Sequence, residues 1–412
     1  MKYFGTSGIR AIYDENLLIL ALKAGLAVGR RHDNVVVATD TRTSGDAMKS
    51  AVTAGLLSGG CRCQDAGVAP TPTLGYITRE FDAGVMITAS HNPPEYNGIK
   101  LLNPDGSSFT SMQQAQIEEE ILSGKCSTVP WDKIYSSGIY RNAVQNHIDR
   151  IAADFPSALN LKVVVDAGCG AASEVTPQML ARLGCNVIPL NCYHSGFFPR
   201  PAEPTEANLQ DLCRAVREFG AALGIAHDGD ADRMMAVDDR GRFIPGDKLL
   251  AIFAQAMGAE EVVTTLDASM SIEEMGFNVR RTPVGDTCVS EELRNGGDFG
   301  GETSGSWIFP EVSLCPDGVY AAARLAAIAG QQSLAELVDS VPAYPLLRGS
   351  IPNDGVVISN LETELTVLNP IEVDNTDGTR LSFDDGWLLV RPSGTEPKIR
   401  LTAEAKSTER AR

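Results

Sequence analysis

Three aspartates occupy alternate positions in one short run, Asp228, Asp230 and Asp232. If the run is extended, its two-residue repeat places the three carboxylates on one face, where they repel one another unless a cation lies between them. All-oxygen ligation is typical of Mg²⁺. An EF-hand loop is a weak alternative, because Arg233 and Asp239 stand where that loop needs Gly and Glu. The run therefore indicates a magnesium site, with an acidic surface turn as the alternative.

A serine follows an apolar run that reads as a buried strand, Gly84–Thr88. Ligand sites of α/β proteins gather at the carboxyl ends of strands, so Ser90 is a candidate nucleophile or phosphate carrier. A polar turn is the alternative. The surrounding residues do not form a Gly-x-Ser-x-Gly elbow, which disfavours acyl transfer of that type. Lys100 follows closely and is either a general acid/base or phosphate ligand, or a solvated surface charge.

A basic loop follows a later strand and begins at Arg391. Backbone amides around Gly394, with the hydroxyls of Ser393 and Thr395, can form an anion-binding nest. Arg391 can add a bidentate contact to phosphate. The loop lacks the spacing of a nucleotide P-loop. It therefore predicts phosphate binding, with a plain hairpin turn as the alternative.

A loop of small residues, Gly300–Ser306, carries one carboxylate. Glu302 can accept hydrogen bonds from neighbouring sugar hydroxyls, and Ser304 can help. An ordinary loop rich in Gly and Ser is the alternative, because such loops are common.

The composition limits the classes of function. The chain has 412 residues and a net charge of −18, which disfavours a broad nucleic-acid interface and requires a local basic pocket for any anionic substrate. Nine cysteines are scattered without a Cys-x-x-Cys pair, as expected in a reducing cytoplasm. We expect neither a signal peptide nor a membrane span.

Apolar runs alternate with helical patterns along most of the chain. Val35–Ala38 reads as a buried strand and about Ser44–Leu57 as the helix after it, so the alternation predicts α/β layers with mostly parallel strands. Short β-rich stretches follow Pro342, among them Val356–Ile358, and Lys406–Arg412 looks like the start of a helix. We predict three similar mixed α/β domains and a smaller α+β C-terminal domain, with the boundaries 1–140, 141–240, 241–342 and 343–412.

Together, and in this order, the four motifs resemble those of the α-D-phosphohexomutase family, which includes phosphoglucomutases, phosphomannomutases and phosphoglucosamine mutases. The motifs are Thr88–Pro93, Asp228–Arg233, Gly301–Gly305 and Arg391–Thr395. The resemblance covers nearly the whole chain. It implies four domains around a central cleft, with the domains of Ser90 and of the aspartates meeting face to face.

The resemblance also implies a mechanism. Ser90 is phosphorylated in the resting enzyme and donates its phosphate to a sugar phosphate. One Mg²⁺ per chain is held by Asp228, Asp230, Asp232 and a phosphoserine oxygen. A hexose 1,6-bisphosphate is the intermediate and activator, and it reorients in the cleft so that phosphate migrates between C6 and C1.

Further roles are carried over to this sequence by family position. The residues implied in proton transfer and electrostatic support are Arg10, His91 and Lys100. Those implied in binding the sugar are Glu302, Ser304, Arg233, Thr282, Gly285 and Asp286. Those implied in gripping the other phosphate are Arg391, Ser393, Gly394, Thr395 and Arg400.

Some positions depart from the family pattern. Ser306 stands where a histidine is frequent, Ala11 where glycine is, and Pro283 where many relatives carry a basic residue. The short C-terminus predicts a fourth domain that is either clipped or less stable than that of relatives. The amino-acid sequence around Gly301–Trp307 is most similar to that of archaeal members assigned as phosphoglucosamine mutases.

We therefore expect conversion of glucosamine 6-phosphate to glucosamine 1-phosphate by a monomer or homodimer in the cytoplasm, with no nucleic-acid or membrane partner. Phosphoglucomutase or phosphomannomutase activity is the first alternative. A metal-dependent sugar phosphatase is the second, and a non-catalytic sugar-phosphate sensor is the third.

Overall fold

The computed structural model describes residues 3–5, 7–124, 127–353, 365–392 and 398–412. Within these ranges the chain forms four successive sheets, the first three accompanied by helices and the fourth almost without them. This architecture confirms the predicted class, although antiparallel pairs join the parallel ones in each of the first three sheets. The domain boundaries given above stay predictions. None of the helices in these ranges is both long and apolar enough to cross a lipid bilayer.

The first sheet contains Ser90 at the end of one strand. Its helices are α1 (Glu15–Gly29), α2 (Gly45–Ser58), α3 (Thr71–Ile77) and α4 (Ser111–Ser123). Its described strands are β1 (Phe4–Gly5), β2 (Gly8–Ile12), β3 (Asn34–Thr39), β4 (Arg62–Val68), β5 (Ala83–Ile87), β6 (Tyr96–Leu102) and β7 (Gly138–Ile139), in the order β1-β2-β6-β5-β3-β4-β7. The central strands β3 and β5 are parallel to each other. Their residues are apolar because both faces of the sheet are covered.

The second sheet carries the three aspartates. Its strands are β8 (Lys162–Asp166), β9 (Asn186–Leu190), β10 (Leu223–His227), β11 (Met234–Val237) and β12 (Phe243–Ile244), in the order β12-β11-β10-β8-β9. Its helices are α5 (Ala143–Ala153), α6 (Ala172–Arg182) and α7 (Gln210–Phe219). Strands β10 and β11 pair antiparallel, His227 opposite Met234, so the aspartate run is the loop at the tip of a hairpin.

The third sheet carries Glu302. Its strands are β13 (Glu261–Thr265), β14 (Asn278–Thr282), β15 (Phe299–Glu302) and β16 (Ser306–Ile308), in the order β14-β13-β15-β16. Its helices are α8 (Gly246–Met257), α9 (Ser271–Glu274), α10 (Asp286–Leu293), α11 (Gly318–Ala329) and α12 (Leu334–Ser340). Strands β15 and β16 form a tight hairpin, so Glu302 ends a strand and is not part of an open loop.

The fourth sheet is antiparallel throughout its described part. Its strands are β17 (Leu346–Pro352), β18 (Glu372–Asp374), β19 (Thr379–Phe383), β20 (Gly386–Pro392) and β21 (Lys398–Ala405), in the order β17-β21-β20-β19-β18. The predicted helix start near the C-terminus is α13 (Thr408–Ala411). The predicted strand Val356–Ile358 lies outside the described residues.

A buried imidazole connects the first three units. His147, on α5, has its Nδ1 2.9 Å from the hydroxyl of Thr73 on α3 and its Nε2 2.9 Å from a carboxylate oxygen of Asp317. Asp317 also caps the N-terminus of α11 by accepting from the amide of Tyr320. All three partners of this contact are buried, so it fixes α3, α5 and α11 against one another.

The fourth sheet is attached to the third unit by a buried carboxylate. Glu404, on β21, accepts hydrogen bonds from the hydroxyl of Ser269 and, at 2.8 Å, from the amide of Met270. It also accepts from Trp387 Nε1 at 2.7 Å. The contact therefore orients the fourth sheet relative to the loop after β13.

Candidate active site

Ser90 lies buried at the point where the first two units meet. Its hydroxyl donates a hydrogen bond of 2.7 Å to Asp228 Oδ2, and His91 Nδ1 lies 3.3 Å from the same hydroxyl. The backbone of Ser90 has φ +50°, in the left-handed region that costs a residue with a side chain free energy and recurs at functional sites. The loop therefore presents Ser90 to the aspartates, as the resemblance implies.

An arginine that the sequence analysis did not single out supports this loop. Arg42 donates to the carbonyl oxygens of Ser90 (2.9 Å), Asn92 (2.7 Å) and Tyr96 (2.8 Å). Its Nε lies 3.0 Å from Asp40 Oδ2, and both side chains are fully buried. Asp40 follows β3, which is the parallel neighbour of β5. The carboxyl ends of these two strands therefore lie at the same edge of the sheet.

Burial raises the pKa of Asp40, and Arg42 offsets part of that rise. Asp40 also accepts a hydrogen bond of 2.6 Å from the hydroxyl of Thr88, which in turn accepts the amide of Ser90 at 2.8 Å. The Asp40–Arg42 pair therefore fixes both the start and the rest of the serine loop. Its sequence signal was an Asp and an Arg directly after a buried strand.

The aspartate run is a bent loop and not the extended segment considered above. Ala231 has φ +58° and reverses the chain between Asp230 and Asp232. One carboxylate oxygen from each of the three aspartates nevertheless lies within 4.8 Å of the others. A side chain on Gly229 would come within 2.5 Å of the carbonyl oxygen of Ser90, so only glycine permits this approach of the two loops.

The buried charges of this cluster are unbalanced. Lys100 Nζ lies 2.7 Å from Asp230 Oδ2 and also contacts Asp232 Oδ2. Arg233 is a second cation that acts on Asp232 and Asp228, so two cations face three carboxylates. The second oxygens, Asp230 Oδ1 and Asp232 Oδ1, are buried and accept no hydrogen bond from any described residue. Unpaired buried carboxylate oxygens are costly, and a divalent cation satisfies them. The donor set therefore fits a hard cation.

The pKa values of the groups in and around this cluster reflect the same crowding of charges. Burial, together with the neighbouring carboxylates of Asp232 and Asp230, raises the pKa of Asp228 well above its usual value. Burial alone would lower the pKa of Lys100, but Asp230 and Asp232 more than offset this and raise it. Burial, aided by Arg233, Arg10 and Lys100, lowers the pKa of His91 to about 2, so its imidazole is neutral.

Three predicted sugar-binding residues form an acidic and polar group. Burial and the carboxylate of Asp286 raise the pKa of Glu302 to about 8, while Arg233 acts in the opposite direction. Ser304 Oγ lies 3.5 Å from Glu302 Oε2. Ser7, which the sequence analysis did not single out, donates a hydrogen bond of 2.7 Å to Asp286. These side chains offer both donors and acceptors, as sugar hydroxyls require.

The remaining predicted residues lie around this centre or apart from it. Arg10 Nη1 is 3.4 Å from the amide oxygen of Asn92, beside the serine loop. Arg233 Nη1 lies 3.3 Å from Glu203 Oε1. The buried hydroxyl of Thr282 donates to its neighbour, the carbonyl of Pro283, at 2.9 Å. Thr282 therefore has a local structural contact.

Gly285 follows in the same loop, with φ +147°. The amide of its neighbour Val284 donates a hydrogen bond of 3.1 Å to Asp377 Oδ2, and Arg391 Nη1 donates to the same oxygen at 2.6 Å. Asp377 thus connects the loop before α10 to the predicted phosphate site. Arg400 lies directly opposite Arg391 in the fourth sheet. Ser393, Gly394 and Thr395 lie outside the described residues.

Comparisons with known proteins agree along the whole chain. Four family models match in order: the Phosphoglucomutase/phosphomannomutase alpha/beta/alpha domains I, II and III, over residues 1–126, 139–241 and 245–344, and the C-terminal domain, over 356–412. A probable phosphoglucosamine mutase of Methanocella arvoryzae is 48% identical to this chain, covering 98% of it and 94% of that protein.

Solved structures give the same result. A phosphoglucomutase/phosphomannomutase family protein from Burkholderia thailandensis superposes with a TM-score of 0.89 at 28% identity, over 98% of this chain and 93% of that one. Aspergillus fumigatus N-acetylphosphoglucosamine mutase, solved in complex with GlcNAc-6P and magnesium, shares the fold with a TM-score of 0.62 at 15% identity, over 99% and 93% of the two chains. With all four of its domains matched in order, this chain belongs to the phosphoglucomutase/phosphomannomutase family.

Proposed function

We propose that this protein interconverts glucosamine 6-phosphate and glucosamine 1-phosphate through a phosphorylated Ser90. The observation that carries the proposal is the 2.7 Å hydrogen bond from Ser90 Oγ to Asp228, which joins a strand-end serine to a buried acidic cluster. The 48% identity to a probable phosphoglucosamine mutase supports glucosamine as the sugar. Phosphoglucomutase or phosphomannomutase activity is the alternative within the family.

The acidic cluster is the proposed site for one Mg²⁺, held by Asp228, Asp230, Asp232 and an oxygen of the phosphorylated Ser90. The unpaired oxygens of Asp230 and Asp232 support this assignment. When bound, the ion neutralises negative charge on the transferring phosphoryl group. Lys100 contributes a further positive charge directly beside two of the three carboxylates.

The proposed reaction has two phosphoryl transfers. In the first, the C1 hydroxyl of glucosamine 6-phosphate forms a bond to the phosphorus on Ser90 and gives up its proton, while the bond from phosphorus to Ser90 Oγ breaks and Oγ takes up a proton. In the second, the 1,6-bisphosphate has turned over, Ser90 Oγ gives up its proton as it attacks the 6-phosphate, and O6 takes up a proton as it leaves. Phosphorylated Ser90 is regenerated and glucosamine 1-phosphate is released.

Chain residues orient the sugar and handle its protons in this scheme. His91 and Lys100 are the candidates for proton transfer, because His91 Nδ1 lies 3.3 Å from Ser90 Oγ and Lys100 contacts Asp230 and Asp232 of the aspartate loop. Arg10 supports the serine loop through Asn92. Glu302, whose raised pKa keeps it largely protonated at neutral pH, can donate and accept hydrogen bonds. That versatility suits a sugar that must bind in two orientations.

Arg391 and Arg400 are the proposed ligands of the phosphate that is not being transferred, together with the predicted loop Ser393–Thr395. The hydrogen bond from Arg391 to Asp377 supports this role, since it holds the guanidinium near the end of β20, beside the predicted loop. A phosphate held there leaves the opposite end of the sugar facing Ser90.

A paired assay tests the proposal. The purified protein, activated with glucose 1,6-bisphosphate and Mg²⁺, is given glucosamine 6-phosphate while glucosamine 1-phosphate and inorganic phosphate are both measured. We expect product without steady phosphate release. Phosphate released in step with substrate loss would show a phosphatase instead. Comparing kcat/KM for glucosamine, glucose and mannose phosphates then ranks the sugars, and a preference for glucose or mannose would overturn the glucosamine assignment.

A further inference from the structure

A basic cavity of about 480 Å³ lies against the fourth sheet. Four of its lining residues are cations, Arg348, Arg391, Lys398 and Arg400, and one, Asp267 from the third unit, is an anion. The chain as a whole carries a net charge of −18, so this concentration of positive charge runs against the average composition. Arg348 and Lys398 have no role in the function proposed above.

Strand register explains how these cations come together. In β21, Arg400 lies opposite both Arg391 of β20 and Ser350 of β17, and Thr402 lies opposite Arg348. Alternate residues of a strand point to the same face of its sheet. Arg348 is two residues from Ser350, so its side chain stands on the same face as Arg391 and Arg400.

This arrangement does not favour folding. Like charges directly opposite each other on neighbouring strands are destabilising, and Arg391 and Arg400 form such a pair. A charge on β17 alone could be explained as protection of an edge strand. That explanation accounts for a charged residue at position 348 but not for its placement on the face that already holds the other cations.

The residue types that line the cavity indicate what it binds. Three of them are arginines on one face of the sheet, Arg348, Arg391 and Arg400, and a phosphate monoester is doubly charged at neutral pH. Arginine is suited to such a ligand because its planar fork can form two parallel hydrogen bonds to phosphate.

The cavity also lies next to the proposed sugar site. Asp267, on its rim, is among the groups that raise the pKa of Glu302. Asp377 connects Arg391 to the amide of Val284, in the loop that leads to Asp286. A phosphate in the cavity is therefore positioned to belong to a sugar whose hydroxyls reach Glu302 and Asp286.

We infer that Arg348 is a further binding residue for the phosphate of the substrate that is not being transferred. The phosphate site then extends from Arg391 and Arg400 across the face of the sheet, as far as the edge strand β17. This inference rests on the proposed function for the identity of the sugar, but not for the binding of phosphate itself.

Binding of inorganic phosphate tests the inference without reference to activity. Calorimetric titrations are made in EDTA, where the three aspartates without a cation repel phosphate, so that the basic cavity dominates. Arg348→Gln is expected to weaken phosphate binding about tenfold, and Arg348→Lys less, because it keeps the charge and loses the fork. Arg410→Gln is the matched control: it removes a cation of the helix α13, next to the same sheet, that pairs with Asp385 outside the cavity. The phosphate affinity of this variant is expected to equal that of the unaltered protein.

Kinetics provide the second readout. With glucosamine 6-phosphate, Arg348→Gln is expected to raise KM about tenfold and to change kcat less than threefold, because a contact to this phosphate is made before and during the transfer. Unchanged phosphate affinity and unchanged KM in Arg348→Gln would overturn the inference. A third outcome separates the two proposals. If Arg348→Gln binds phosphate more weakly but the unaltered protein isomerises no sugar phosphate, the inference is upheld and the proposed function is refuted. Because Arg348 is exposed on an edge strand, an unchanged thermal midpoint is expected for the variant and excludes misfolding.

Discussion

Replacing Arg42 by Met should release the serine loop. The change leaves Asp40 buried without its cation, and breaking a buried pair costs about 3–5 kcal/mol. Burial already raises the pKa of Asp40, so the carboxyl takes up a proton and the cost falls to about 3 kcal/mol. The carbonyls of Asn92 and Tyr96 are only partly buried and can bind water, whereas the carbonyl of Ser90 is buried and adds about 1 kcal/mol.

The total cost of about 4 kcal/mol in Arg42→Met corresponds to a roughly thousandfold rise in the equilibrium constant for opening of the serine loop. Hydrogen exchange measures it directly at the amides of Ser90, Asn92 and Tyr96, which are bonded within the loop. Arg30→Met is the control, because Arg30 donates to an exposed carbonyl at Ser127. Its exchange in the serine loop should equal that of the unaltered protein.

Two further measurements check the cause of this effect. In Arg42→Met the folded pKa of Asp40 is raised further, so the variant gains stability as the pH falls. The difference from the unaltered protein should therefore be smaller at pH 5 than at pH 8. The double variant Asp40→Asn/Arg42→Met, which has no buried charge to neutralise, should exchange more slowly than Arg42→Met. Exchange within threefold of the unaltered protein in Arg42→Met would refute the reasoning.

Three other outcomes are expected. Ser90→Ala should abolish turnover while calorimetry still detects sugar-phosphate binding, and turnover near that of the unaltered protein would exclude Ser90 as the phosphate carrier. Asp230→Asn should weaken Mg²⁺ at least tenfold, seen as a higher midpoint in a magnesium titration of activity; an unchanged midpoint would count against this ligand. Trp307→Phe should lower the free energy of unfolding by about 1–3 kcal/mol, because the buried carbonyl of Met234 loses the 2.7 Å hydrogen bond from the indole; an unchanged urea midpoint would contradict this.

The parts of the site that could be predicted are those marked by residue type at the end of an apolar run. Ser90 follows β5 directly, and the aspartates follow β10. A buried strand can be recognised locally, and its carboxyl end is where a ligand site is expected. The bend at Ala231 could not be predicted, because an apolar run looks the same whether its neighbour is parallel or antiparallel. The hairpin of β10 and β11, which forces the bend, was therefore missed.

Arg42 and Arg348 were missed for a different reason. The partners of Arg42 in the serine loop are backbone carbonyls, and every residue has a carbonyl, so no side-chain pattern marks them. Arg348 depends on the register between β17 and β21, which is decided by contacts some 50 residues apart in the chain. For Arg42 a signal was available. Asp40 and Arg42 follow β3, and the carboxyl ends of β3 and β5 lie at the same edge of the sheet.

The buried imidazole of His147 has a consequence for synthesis of the chain. One partner, Thr73, precedes it, but the other, Asp317, follows it by 170 positions. At about 5–20 residues per second, the ribosome needs roughly ten to thirty seconds to supply that carboxylate. Ser90 and Asp228, separated by 138 positions, are both complete well before then. The nascent protein thus has both halves of its proposed reaction centre while the contact that fixes three units together still lacks its last member.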